Sequence, residues 1–363
     1  MKGKQKTIII AAFAVLGVLL LGCGGALAYC GTMTSYTRYT DDGTFAALPA
    51  EYRKPAAQQG TIVSITYQTS TYYGEETWQG NAETQPTFDQ YASREDVPLE
   101  KVVYLYLPYG YEENPDQQYN ILYHMHGTTC DGTTLIKGEG KSSLTKNVLD
   151  NMIEKGDMEP TIVAFPTWYN GLDVDEDNPD YLINHFGTEL VRDIMPAVES
   201  QFRTYAGLTE DMTPEEQTAA FTASRDHRAV SGDSRGGVLT WNIFANLPEY
   251  FRWYMPISGD YLCELFIATQ NSCEPKVQDL VEKIQAKGYE PEDFYIYSSV
   301  GALDFAYRGV HMQFLEMLRH PELFSYGPTP EQGNFYLSTA PKLWHGDTMS
   351  PYYFYNALKV LFH

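Results

Sequence analysis

Basic residues are scarce in this chain: 25 Lys and Arg stand against 47 Asp and Glu over 363 residues, a formal net charge of −22. A surface of that sign repels phosphate backbones, which excludes nucleic acid as a partner and argues against a polyanionic substrate. A neutral polymer or a small neutral molecule suits it better. Cysteine is sparse too. Cys23, Cys30, Cys130, Cys263 and Cys273 form no C-x-x-C pair and no His/Cys cluster with zinc spacing, so no zinc site is expected. Cys263 and Cys273 are near enough in sequence to bridge a surface loop in an oxidising compartment, or else they are two buried thiols. The chain also lacks an internal repeat, and beyond Gly60 it lacks any second domain boundary.

What is present is an ordinary globular balance, 43% hydrophobic and 20% charged, with an unusual 29 tyrosines. Such a bias often accompanies surfaces that stack on sugars or aromatic groups. The N-terminus carries three lysines and then an apolar run from Ile8 to Leu21. Residues 1–30 read as an export signal or anchor and are set apart from the fold. Three fates stay open: lipidation of Cys23 in "LLGC", cleavage after Ala26-Leu27-Ala28, or retention of Ile8 to Ala28 as a membrane anchor. Each places the rest of the chain outside the cytoplasm, secreted or held at the cell surface, touching membrane only through this segment. Residues 31–59 are polar and aperiodic and read as a tether.

From residue 60 to 363 the pattern is that of one domain. "TIVSITYQTS", "KVVYLYLP", "YNILYHMHG", "PTIVAFPT", "HRAVSG", "FRWYMPISG", "FYIYSSVG" and "NFYLSTAP" are eight short β-rich runs bounded by turn residues. Helical patterns lie between the later ones, among them "SSLTKNVLDNMIEKG" and "HFGTELVRDIMPAVESQF". Alternating strands and helices predict an α/β fold whose mostly parallel sheet is covered on both faces.

In such a sheet, sites form at the carboxyl ends of the strands. Ser234 sits there in Gly232-Asp233-Ser234-Arg235-Gly236, a G-x-S-x-G between an apolar strand and a helix, which is the context of a nucleophile elbow. The glycines suit a tight turn with no room for flanking β-carbons. A nucleophilic serine needs a base, and the base needs an acid to orient it. His345 fits the base, on the loop between the last strand and the last helix, whereas His311 and His320 share one helical pattern and His363 is terminal. Asp304, just beyond "FYIYSSVG", is the expected acid, Asp260 after "YMPIS" is the alternative, and Asp347 is too close to His345 along the chain to orient its ring. The backbone N–H groups of Arg235 and Thr128 are the expected oxyanion donors. Trp168, Tyr169, Asn170 and Tyr261 follow strands at the same end and are candidate substrate contacts. His124 and His126 are expected to face opposite sides of their strand and so not to share a metal. No metal or organic cofactor is expected.

The segments "VYLYLPYGYEENPDQQYNILYHMHG", "ASRDHRAVSGDSRGG", "FRWYMPISGDY", "VGALDFAY" and "GNFYLSTAP" together resemble the α/β-hydrolase esterases of carbohydrate esterase family 1, and in particular the feruloyl esterase domains attached to clostridial xylanases. The resemblance runs from about Gly60 to His363. It implies hydrolysis of feruloyl, acetyl or related esters on plant polysaccharide, with Ser234 as nucleophile, Asp304 as acid, His345 as base, and Thr128 and Arg235 at the oxyanion. Three places depart from the family pattern. Asp233 and Arg235 flank the serine where an apolar residue and Met are usual, "HGDTMS" replaces tryptophans after the histidine, and "TTCDG" replaces glycines after "HG". Two other outcomes stay open: acyl transfer to a carbohydrate acceptor, as in the mycolyltransferase branch, and a non-catalytic surface protein that binds carbohydrate.

Overall fold

The computed structural model describes residues 44–73, 94–171, 179–209, 211–261 and 268–362. Strands β1 (Thr61–Ser70), β2 (Pro98–Leu107), β3 (Asn120–Met125), β4 (Thr161–Phe165), β5 (Arg228–Asp233), β6 (Trp253–Ile257), β7 (Tyr295–Gly301) and β8 (Phe335–Ala340) form one sheet in the order β1-β2-β4-β3-β5-β6-β7-β8. β1 and β2 pair antiparallel, β2 meets β4 antiparallel, and every pairing from β4 through β8 is parallel. All eight expected strands are found.

Burial follows from position. The parallel strands β3 to β8 are buried throughout because helices cover both faces, while edge strand β1 alternates buried with exposed positions. Alternation along β3 builds the two cores: Ile121, Tyr123 and Met125 join one apolar cluster, and Leu122 joins the other. Helices α1 (Leu144–Lys155), α2 (Pro179–Glu189), α3 (Met195–Glu199), α4 (Pro214–Ala223), α5 (Arg235–Asn246), α6 (Gln270–Ala286), α7 (Tyr307–Met317) and α8 (Ser350–Ala357) make up the layers. α2 passes into α3 through a π-helical segment, Leu190–Ile194, within one of the anticipated helical patterns. α4 lacks an apolar stripe and was not anticipated; a reciprocal cap between Thr213 and Glu216 starts it, and Phe221 is its buried residue.

The domain begins earlier than Gly60. Residues 44–59, expected as the end of a tether, pack on α1 and α8: Leu48 and Tyr52 are buried in the second core, and Asn356 exchanges two hydrogen bonds with the backbone of Ala46, at 2.8 and 3.0 Å. The segment has no periodicity because a 3-10 turn (Glu51–Arg53) and extended chain make its contacts, through single aromatic residues. The signal or anchor segment, with Cys23 and Cys30, lies outside the described residues, as does Cys263 of the Cys263/Cys273 pair. Among the described residues no helix is long and apolar enough to cross a membrane.

Candidate active site

Strand register delivers the site to one rim, since Ser234 follows β5, Asp304 lies just past β7, and His345 lies just past β8. Ser234 has φ 53° and ψ −113°, a left-handed backbone that L-residues adopt only when surroundings impose it. The imposing contacts are its N–H to the Ile257 carbonyl at 2.9 Å and its carbonyl from the Val238 N–H at 3.0 Å. A β-carbon on Gly232 would lie 2.4 Å from the Gly236 backbone, and one on Gly236 would lie 2.3 Å from the Met125 carbonyl. The turn therefore requires both glycines, and it leaves the serine side chain half-buried at the rim.

The loops after β7 and β8 are tied together by Ala302 N–H to Ala340 O at 2.8 Å and Leu303 N–H to Leu343 O at 3.0 Å. That coupling brings His345 to both partners: Nδ1 is 2.8 Å from Asp304 Oδ1, and Nε2 is 2.8 Å from Ser234 Oγ. Asp304 Oδ1 also accepts the Ala306 N–H at 2.7 Å, in full burial. The Phe305 ring lies 3.9 Å from the His345 ring, centroid to centroid. With both ring nitrogens taken, Asp260, the alternative acid, is left out of this arrangement; it is buried beyond β6.

Around the serine, Arg235 opens α5, so its N–H belongs to the unsatisfied first turn of a helix. Thr128 is exposed and follows Gly127, at which a β-carbon would be 3.1 Å from Ser234 Cβ. The candidate substrate contacts divide. Tyr169 is half-buried, and its hydroxyl accepts the Thr129 N–H at 3.3 Å. Trp168 is only 1% exposed and gives its indole N–H to the His126 carbonyl at 2.7 Å, so it supports the site from within. Tyr261 is 2% exposed, with its hydroxyl on Asp279 at 2.8 Å, and Asn170 is buried as well. The expectation of contact with substrate is corrected for Trp168 and Tyr261, because their rings are needed for packing.

His311 is buried on α7 against Tyr307, and His320 lies past the helix end on Glu322. His124 and His126 do reach different partners, but not for the anticipated reason. Residues two apart on a strand share a face; β3 ends at Met125, and His126 belongs to the turn, stacked on Trp168. Among the described residues no group of three or more His, Cys, Asp or Glu side chains could hold a metal ion.

Behind the serine lies a network that sequence reasoning missed. Asp233 Oδ2 is 3.0 Å from His124 Nε2 and contacts Ser350 Oγ, and Asp347 Oδ2 accepts the Gly127 N–H at 2.7 Å. Ser231 donates its hydroxyl to the Met255 carbonyl at 2.9 Å, so His124 Nδ1, 3.0 Å from Ser231 Oγ, carries a hydrogen. One further proton is then shared between His124 Nε2 and Asp233. Burial pushes Asp233 up to about 7 and His124 down to about 4, which places that proton on the carboxyl. A carboxyl protonated above the pH at which the unfolded chain releases its proton stabilises the fold at low pH, and that contribution is lost as pH rises through the folded value, here from about 4 to 7. Asp233→Asn keeps a neutral donor toward His124. It is expected to melt about 2 °C or more above the wild type at pH 8 and to lose that advantage at pH 5; an equal difference at both pH values would exclude a proton held on Asp233.

Comparison with known proteins agrees with this architecture. The Esterase family model, described as "Putative esterase", matches residues 96–324. Endo-1,4-beta-xylanase Y of Acetivibrio thermocellus is 31% identical over 330 residues, 91% of this chain and 26% of that protein. An endo-1,4-beta-xylanase/feruloyl esterase of Xylanibacter ruminicola is 25% identical over 62% of this chain and 32% of its own length. The chain thus spans roughly a quarter to a third of these curated relatives. The feruloyl esterase module of Clostridium thermocellum, solved with sinapinate, superposes with a TM-score of 0.68 at 30% identity, covering 88% of this chain and 94% of the module. A ferulic acid esterase of Anaeromyces mucronatus, at 16% identity, TM-score 0.55 and coverage of 87% of this chain and 96% of its own, shares the fold. The chain belongs to this esterase family and is built on the α/β-hydrolase fold.

Proposed function

We propose that the protein is an exported serine esterase that removes feruloyl, acetyl or related acyl groups from plant polysaccharide through Ser234, His345 and Asp304. The observation that carries this reading is the unbroken chain of hydrogen bonds from Ser234 Oγ through the His345 ring to Asp304, each 2.8 Å long. In that arrangement Nδ1–H donates to Asp304 and Nε2 accepts the serine proton. Oγ attacks the ester carbonyl as its proton passes to Nε2, and the imidazolium returns that proton to the departing alcohol. Water activated by the same nitrogen then hydrolyses the acyl-enzyme. Asp304 remains a carboxylate throughout, steadied by the Ala306 N–H.

The N–H groups of Thr128 and Arg235 would meet the oxyanion, the latter at the positive end of α5. Half-buried Tyr169 and Phe305, with Leu303 and Trp344 exposed at 43% and 56%, offer an apolar rim on which an aromatic acyl group would stack. The sinapinate bound by the clostridial module supports a hydroxycinnamoyl substrate. The acidic surface and the N-terminal segment fit an extracytoplasmic protein acting on a neutral polymer.

The test is turnover of methyl ferulate and of an acetyl aryl ester by the full chain beside Ser234→Ala. Cleavage of both, lost in the variant, is expected. Cleavage of the acetyl ester alone would remove the feruloyl part of the reading. If neither ester is turned over in a serine-dependent way, even with a carbohydrate acceptor added, the esterase reading falls.

A further inference from the structure

The three places where the sequence departs from its family's pattern meet in the folded chain. Asp233 precedes the nucleophile, Asp347 follows the histidine by two residues, and Cys130 closes the loop after Gly127. Asp347 faces Asp233, His124 and Cys130, while Ser350 at the start of α8 bridges Asp233 and the Asp347 carbonyl. None of these side chains touches the serine hydroxyl. What they hold is the loop that carries Thr128.

Both peptides around Gly127 are pinned. The Gly127 N–H donates to Asp347 Oδ2 at 2.7 Å, in full burial. The Gly127 carbonyl accepts from His126 Nδ1 at 2.7 Å and from the Cys130 N–H at 3.4 Å. That carbonyl shares its peptide plane with the Thr128 N–H, and in a trans peptide the two point in opposite directions. Fixing the carbonyl therefore aims the Thr128 N–H away from His126. The fit is close, since a β-carbon on Gly127 would lie 2.6 Å from Asp347 Oδ1 as well as against Ser234.

We propose that Asp347 is a positioning residue for the oxyanion hole: its carboxylate clamps the Gly127 N–H and so registers the Thr128 donor against Ser234. The proposal rests on the serine esterase reading. Ionised Asp347 forms a charge-assisted bond with that N–H, and protonation weakens it. Burial and the neighbouring Asp233 push Asp347 up to about 6, so the clamp loosens at mildly acidic pH. The charged and titratable groups facing the pair are His124 from β3, Cys130 from the loop, His345 and Asp304 acting on Asp233, and Tyr353 of α8.

The experiment uses the full chain with an acetyl aryl ester and the variants Asp347→Ala and Asp347→Asn. Removing an oxyanion donor outright costs about 10²–10³ in kcat, and misplacing one costs somewhat less. Asp347→Ala is therefore expected to lower kcat roughly 10- to 100-fold with KM within about threefold. Asp347→Asn keeps an acceptor oxygen for the Gly127 N–H and should recover most of that loss at pH 8. That rescue, with the loss confined to kcat, supplies a readout that a merely structural role would not move. Hydrogen exchange at Gly127 reads the clamp without catalysis and is expected to quicken about tenfold or more in Asp347→Ala. Unchanged exchange, a kcat within twofold of wild type in Asp347→Ala, or a kcat at pH 8 no higher in Asp347→Asn than in Asp347→Ala would overturn the proposal. Faster exchange with no serine-dependent turnover in the wild type would leave the clamp standing and overturn the esterase reading instead.

Discussion

Replacing His345 with alanine is expected to slow ester turnover by about 10⁶-fold, and removing Ser234 as well should cost no further activity. In the proposed mechanism the two act as one unit. Ser234 Oγ is a weak nucleophile until a base takes its proton, and His345 has no role in attack without the hydroxyl 2.8 Å from its Nε2. Deleting either one leaves only binding and the oxyanion donors, so Ser234→Ala, His345→Ala and the double variant should converge on one residual rate. Asp304 enters differently. Asp304→Asn keeps the shape but turns an acceptor toward His345 Nδ1 into a group that can present a donor, which favours the wrong tautomer; a loss of about 10⁴-fold in kcat is expected. Burst amplitude and steady-state kcat on an acetyl aryl ester measure all four variants. Losses in Ser234→Ala and His345→Ala that multiply in the double variant would mean that the hydrogen bonds at the rim are not a catalytic unit.

That this rim could be read from the chain rests on locality. Ser234 announces itself because the elbow is built within five residues, and Gly232 answers to a contact its own turn creates, with Gly236, although Gly236 itself answers to the end of β3. Asp304 and His345 are legible for a related reason: each lies just past a strand end, and a parallel sheet gathers strand ends on one side. Asp347 was rightly set aside as the partner of His345, yet its actual partner, Gly127, is 220 residues away. Nothing local in "HGDTMS" marks that contact. The proton shared by His124 and Asp233 is hidden in the same way, since it exists only once β3 lies beside β5. Trp168 and Tyr261 show the opposite error. Position after a strand puts a residue at the right end of the sheet, but it does not say whether the ring turns outward, and both turned into the core.

At the other end of β5 the largest expected effect on stability lies in Arg228. Its guanidinium is buried, with Nε and Nη2 on Glu199 at 2.8 and 2.9 Å, Nη2 also on Ser224 Oγ at 3.0 Å, and Nη1 on the Phe221 and Tyr250 carbonyls at 2.9 Å. Glu199 is saturated in turn by Tyr123 at 2.9 Å and Thr204 at 2.8 Å. One ion pair thereby joins β3, β5 and the end of α3. Removing one member strands the other charge in the interior, so Arg228→Ala or Glu199→Ala is expected to cost about 3–5 kcal/mol, read as a lower urea midpoint at unchanged slope. Replacing the pair together, Arg228→Met with Glu199→Leu, removes both desolvation penalties and should recover most of that loss. A double variant as unstable as either single one would mean that the buried hydrogen bonds, and not the charges, hold this corner. Turnover per folded molecule should change little in any of them, because Ser234 lies a full strand away, about 20 Å along β5. A fall in kcat matching the fall in stability would instead show that the corner transmits strain along β5 to the elbow.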